Sequence, residues 1–501
     1  MRAALAVAAV VGLLAPAVAT ASMRQESIFE DSTVLLQRGV ERQASGLTEI
    51  AALGADTVRS LVLWRDVVPS PDARRRPPGF ASGRVTSYPA ALWDRYDDLV
   101  RGARARGLRV LLTPSSTIPR WASGCRRPPA VLRGCAPNPE LYEGFVRVLG
   151  RRYSGAYRDE NQGGGELPRV ERWSLWNEPN QPGWLSPQYE RRGGRLVNTG
   201  ARRYRALAGA GIRALRATGH GSDHILLGET SPVGRTAGPP ARRAAPPVGF
   251  LQALFCLDQR GRRLRGAAAR ATGCGDARRL GVSGFAHHPY TQGAHDAPGA
   301  PPSPGQISFL AASQLERLLR QGARAKLIPA NLPIWFTEFG YQTNPPDPRL
   351  GVAPALQATY LNQADYVAAR NPRIRSVAQY KLVDDRDQQA FQTGLRRFGS
   401  LALKPAYAAY RLPVWVVRTG AGVRVYGQLR SAGPGDAPTV EIQRSPPAGS
   451  GFRTVRAVRV TSRTGQFLAT VPGAPDGLWR LVWTPDGGAA QFSRSAVASG
   501  R

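Results

Sequence analysis

The stretch Val170 to Asn180, VERWSLWNEPN, decides how this chain reads. Its apolar, strand-like start breaks off at Asn177-Glu178-Pro179, so a carboxylate stands at the end of a hydrophobic strand. Such a group costs free energy unless it is hydrogen-bonded or needed for chemistry. A second run of the same kind, Leu332 to Gly340, LPIWFTEFG, also ends in one acidic residue, Glu338. Two parallel strands that each deliver a carboxylate at the C-terminal end suit the cleavage of a glycosidic bond. That reaction takes one acid near the leaving oxygen and one carboxylate at the anomeric carbon.

Outward from these two stretches the chain alternates between strand and helix patterns. Strands are expected at Ser32 to Leu36, Thr57 to Val68, Leu108 to Thr113, the WNEPN run, His224 to Gly228, Gly281 to Tyr290, the TEFG run and Ile374 to Leu382. Helices fall between them: Glu41 to Leu53, Pro89 to Arg106, Pro139 to Tyr153, Ala201 to Thr218, a short one at Val248 to Leu257, Ile307 to Arg324 and Pro354 to Arg370. A final helical stretch follows at Pro405 to Tyr410. Eight such units imply a closed (β/α)8 TIM barrel, an α/β fold whose active site lies at the strand C-termini. The competing open, doubly wound sheet would carry a Gly-rich phosphate loop after its first strand, and none is present.

After Leu412 short alternating runs separated by Gly, Pro, Ser and Asp turns predict a small antiparallel β-sandwich. Trp415, Trp479 and Trp483 would either stack on sugars or fill the sandwich and its contact with the barrel. The expected division is a leader over 1–21, the barrel over 22–411 and the sandwich over 412–501.

The leader rests on Arg2, the apolar run Ala3 to Leu14 and the cleavage signal Ala19-Thr20-Ala21. It predicts export, to the medium or the cell wall, with no membrane span once removed. The four cysteines fit that setting. Pairing near neighbours, Cys125 with Cys135 and Cys256 with Cys274, gives two loop staples, although four cysteines allow three connectivities. A zinc site is disfavoured by the lack of C-x-x-C. His287 and His288 are adjacent and face opposite sides of a strand.

The net charge is +33, nearly all from arginine, with lysine only at 326, 381 and 404. The arginines are scattered and no nucleic-acid fold signature accompanies them, so no nucleic-acid partner is expected.

With WNEPN on the fourth strand and TEFG on the seventh, the region from about Thr33 to Leu412 resembles the retaining glycoside hydrolases of clan A. Within the clan it is nearest to the secreted, cellulase-like families 39 and 5. Arg59, the HHPY run ending at Tyr290, and Lys404-Pro405-Ala406-Tyr407 add weaker support. The resemblance implies that Glu178 is the general acid/base and Glu338 the nucleophile of a metal-independent double displacement on carbohydrate. No cofactor is implied, and the chain is expected to act as a monomer.

Around this pair, Asn177 would donate to the sugar 2-hydroxyl or simply stabilise the strand end. Arg59 would orient Glu338 through a charge-assisted pair, or serve as a surface arginine. His288 and Tyr290 share a face; Tyr290 would bond Glu338, and His288 would contact substrate or Glu178 unless it is a core histidine. Trp64, Trp121, Trp184 and Tyr341 are candidate stacking platforms or packing residues. Glu229 would touch sugar or pair with an arginine. Such barrels usually place a Trp at the end of strand eight, whereas this chain has Gln379-Tyr380-Lys381, which makes Tyr380 the candidate there.

Two non-enzymatic alternatives remain in view. One is a wall polysaccharide-binding protein on a decayed barrel, disfavoured because both carboxylates are intact. The other is a basic surface protein that holds acidic polymers through its arginines.

Overall fold

The computed structural model describes residues 25–36, 40–125, 134–192, 194–235, 237–431, 437–447 and 451–500. The expected leader, 1–21, lies outside the described residues.

Eight parallel strands close into a barrel: β1 (Glu26–Glu30), β2 (Thr57–Leu63), β3 (Arg109–Ser115), β4 (Arg172–Ser174), β7 (His224–Thr230), β8 (Gly284–His287), β9 (Ile334–Phe336) and β10 (Ile374–Tyr380). The antiparallel hairpin β5–β6 (Tyr189–Arg192, Arg195–Asn198) is inserted after β4. Closure comes from β1, which pairs with β2 on one side and β10 on the other. Each crossover carries at least one helix, and these helices form the outer layer. Their apolar stripes face the strands; in Asp94–Ala105, for example, Tyr96, Leu99, Val100 and Ala103 are buried. Inside the barrel Ile28, Leu111, Leu226, Ala286, Trp335 and Ala378 pack as one apolar cluster, so the interior is a core and the open space is left to the rim.

Seven of the eight expected strands stand where the pattern placed them, several of them shorter. The first does not. Ser32 to Leu36 is not a strand: Ser32–Leu35 is a turn of helix, because the Asp31 carboxylate caps it by accepting from the N–H groups of Thr33 and Val34. The strand is ESIFE, Glu26–Glu30, which ends in a third glutamate at the rim. The run Thr57 to Val68 also stops early, since Trp64–Val67 is a 3-10 turn.

Beyond the barrel β11 (Val414–Thr419), β12 (Gly422–Gln428) and β15 (Gln466–Pro472) form one antiparallel sheet. The other contains β14 (Arg453–Arg459), β13 (Thr439–Ser445), β16 (Leu478–Trp483) and β17 (Gln491–Phe492). Side chains of both sheets meet in one apolar cluster that includes Val416, Val425, Ile442, Phe467, Trp479 and Leu481. Trp479 is buried in this cluster, Trp483 packs against it and Trp415 stacks on Tyr366 of the barrel at 6.3 Å. The alternative of packing therefore describes all three tryptophans. Arg430 ties the two parts together: it is buried, bonds Asp365 at 2.7 Å and Ser27 Oγ at 2.8 Å, and lies over the Tyr410 ring. Both cysteine pairs close as near neighbours, Cys125–Cys135 and Cys256–Cys274. Among the described residues no helix is long and apolar enough to cross a membrane.

Candidate active site

At the C-terminal rim the strands open onto a cavity of about 580 Å3. β4 ends at Ser174, and the chain leaves the sheet through Trp176 and Glu178, both with positive φ (77° and 37°). Backbone of this kind is unfavourable for a non-glycine residue and is kept where the surrounding contacts fix it. Here the N–H of Glu178 donates to the Glu229 carbonyl at 3.0 Å and that of Asn177 to Ser115 Oγ at 2.9 Å. Both turns deliver side chains to one place, so that Asn177 and Glu178 face the cavity. Glu338 follows the short β9 and faces it from the other side.

His288 sits between the two carboxylates, with Nδ1 at 3.1 Å from Glu178 Oε1 and 3.6 Å from Glu338 Oε2. These oxygens are therefore no more than about 7 Å apart, the sum of the two distances. A water-spaced inverting pair stands about 6.5–9.5 Å apart, a double-displacement pair about 5–5.5 Å. Tyr290 donates its hydroxyl to Glu338 Oε1 at 2.9 Å.

Beneath the cavity floor, Arg59 organises the rest. It is fully buried on β2 and contacts four side chains. Nε and Nη2 grip Glu229 at 2.9 and 2.6 Å, Nη1 bonds Glu30 and lies 3.4 Å from Glu338 Oε2, and Nη2 donates to Asn177 Oδ1 at 2.6 Å. Because the guanidinium has no acceptor, the last bond fixes the amide with its oxygen toward Arg59 and its NH2 directed elsewhere. Glu229 also accepts from Thr113 Oγ1 at 3.2 Å and does not line the cavity, so it pairs with arginine and stays out of the cavity.

The electrostatics follow from these contacts. Burial pushes the His288 imidazole toward neutrality, but the Glu338 charge, with the hydrogen bond and charge of Glu178, outweighs it, and its pKa stands above the usual histidine value. His287 behaves oppositely. Burial dominates there and lowers its pKa to about 3, and the neutral ring is satisfied by Thr230 Oγ1 and the Ile307 carbonyl. The Tyr290 and Tyr380 hydroxyls are held well above the usual phenol value, first by burial and then by Glu338.

Two placements correct the expectations. Trp64 and Trp121 are not platforms: Trp64 is fully buried, stacked on Phe145 at 5.5 Å and edge-on to Trp121 at 6.2 Å, inside the helix-strand core. Arg59 and His288 touch the carboxylates from behind and do not line the cavity, so neither has a substrate-facing surface. Trp184, Tyr341 and Tyr380 do line it. The residue the sequence reading passed over is Glu30, at the cavity wall between Arg59 and Tyr380 in the strand register. A carboxylate closing ESIFE, just before a helix cap, was the signal for it.

Phe391 and Thr393 reach the cavity from the loop after β10. Lys404 pins that loop from below, bonding Asp384 Oδ1 at 2.6 Å, Thr343 Oγ1 at 2.8 Å and the Gln392 carbonyl at 3.1 Å. Among the described residues no group of three His, Cys, Asp or Glu could hold a metal ion.

No protein-family model matches the chain, and no curated protein does. Among solved structures it is similar to a glucosidase from Croceicoccus marinus, at 14% identity and TM-score 0.46, over 89% of this chain and 83% of that one. It is also similar to a β-glucosidase from Exiguobacterium marinum, at 14% and 0.45, over 77% and 96%. A third is a β-glucosidase from Thermotoga maritima in complex with castanospermine, at 11% and 0.46, over 77% and 95%. At such scores these likenesses say nothing about chemistry.

Proposed function

We propose that this protein is a retaining glycosidase that hydrolyses O-glycosidic bonds of oligo- or polysaccharides by double displacement. The observation that carries this reading is the opposition of Glu178 and Glu338 across the rim cavity, bridged by one imidazole. Glu178 gives a proton to the leaving glycosidic oxygen while Glu338 attacks the anomeric carbon, forming a glycosyl ester. A water then attacks that carbon, Glu178 takes the water's proton, and the ester bond to Glu338 breaks. Tyr290 and Arg59 hold the two oxygens of Glu338 so that one lone pair faces the ring. The Asn177 NH2 donates to the 2-hydroxyl, a bond that strengthens as positive charge grows at the ring. His288 keeps the two carboxyl groups at a fixed separation.

In this reading residues 22–411 form the catalytic barrel and 412–501 a sandwich that braces it. The two disulfides support a site of action outside the cytoplasm.

An aryl glycoside panel tests the assignment. Glu338→Gly loses hydrolysis and regains turnover with added azide, while Glu178→Ala still releases good phenolate leaving groups. If both variants hydrolysed every accepted glycoside as fast as the parent, the assignment would be wrong.

A further inference from the structure

The mechanism above uses two carboxylates and leaves a third one at the cavity wall without a task. Glu30 is 2% exposed and lines the cavity. Its Oε2 is taken by Arg59 Nη1, the same nitrogen that lies 3.4 Å from Glu338 Oε2. No hydrogen bond within the described residues uses Oε1. Oε1 is not shut off from solvent; it opens to the cavity, where a donor on a bound ring can take the place of water. Because Glu30 and Glu338 share one guanidinium nitrogen, Glu30 borders the subsite of the ring whose anomeric carbon meets Glu338.

The charge of that subsite has a definite sign. Glu30, Glu178 and Glu338 all line the cavity, and among the described residues no arginine or lysine does, in a chain of net charge +33. Arg59 is the cation behind this wall, and Glu229 already occupies two of its nitrogens. A carboxylate or sulfate on the incoming ring would meet like charge in a partly dry site with no cation to receive it. Hydroxyl or ammonium donors would meet Glu30 as an acceptor.

Resting on the glycosidase reading, we infer that Glu30 is a specificity-determining residue. It accepts hydrogen bonds from hydroxyl or amino groups of the ring bound next to Glu338 and so selects uncharged or amino sugars over their uronate counterparts.

Matched aryl glycosides test this: hexosides, their uronates and the corresponding deoxy-hexosides of one configuration, assayed with the parent and with Glu30→Gln. The parent is expected to favour the neutral hexoside over its uronate on the order of 100-fold in kcat/KM. In Glu30→Gln that ratio contracts by about tenfold or more, and the penalty for one particular deoxy position shrinks with it. A carboxylate that only braced Arg59 would lower every substrate alike and leave both ratios unchanged, which overturns the inference. Thermal unfolding of Glu30→Gln shows whether the variant is folded. For an unfolded variant the parent's own neutral-to-uronate ratio decides. A uronate cleaved as fast as its hexoside removes the role of Glu30 but leaves the glycosidase reading standing. A panel on which the parent cleaves nothing removes both.

Discussion

The two ends of this barrel solve opposite charge problems with the same strand. At the base, β1 begins with Glu26, one buried glutamate among three arginines: Arg172 at 2.9 Å, Arg375 at 3.0 Å and Arg109 at 3.4 Å. At the rim the same strand ends with Glu30, and one arginine, Arg59, contacts three glutamates. The base is a saturated anchor whose Arg172 also lies over Trp335. The rim carries excess negative charge beside an open cavity, where a positive charge developing on a sugar ring would be stabilised. Buried ionic clusters therefore do not by themselves mark an active site. The sign of the excess and the presence of space beside it distinguish the two ends.

Substitutions can break that contrast. Glu338→Gln is expected to lower kcat by about 10^4-fold or more while shifting the melting temperature little, since it removes one of several crowded negative charges. Arg59→Met leaves Glu30 and Glu229 buried without their partner, and chemical denaturation should show a loss of about 3–5 kcal/mol together with a fall in kcat. At the base, Glu26→Gln keeps an acceptor for Arg172. Its cost should be about 1–2 kcal/mol, with kcat/KM unchanged within about twofold, because two of its three arginines are substantially exposed. A large loss of activity from this variant would erase the distinction between the ends.

The smallest effect is a pH signature. The His288 pKa is raised in the fold, so its contribution to stability is complete below the ordinary histidine value of about 6.5 and is lost as pH rises through the higher folded value. The melting-temperature lead of the parent over His288→Gln should shrink above neutrality. A lead that stays constant from about pH 5.5 to 9 would mean that folding leaves the His288 pKa unshifted, and one that grows with pH would mean that the buried imidazole carries no proton.

Glu178 and Glu338 were legible because each closes a hydrophobic run, a pattern local to a few residues. The helices were legible for the same reason. The first strand was not, because ESIFE carries a glutamate at each end, and what makes both of them tolerable is arginines far away in sequence: Arg172 and Arg375 below, Arg59 above. STVLL, with its β-branched start, looked more like a strand, but Asp31 turns it into a helix through two backbone bonds. Misplacing that strand hid Glu30. Trp64 and Trp121 misled in a different way, since nothing in a sequence says whether an aromatic beside a strand end turns into the packed interior, as Trp64 does against Phe145 and Trp121 against Phe80.

The most direct test of the central claim is to treat the protein with a 2-deoxy-2-fluoro glycoside of its accepted sugar, carrying a good leaving group, and locate the label by peptide mass spectrometry. One sugar bound to the peptide that contains Glu338, and none in Glu338→Gln, is the predicted result. A sugar attached to any other residue, or full turnover with no covalent species trapped, would contradict it.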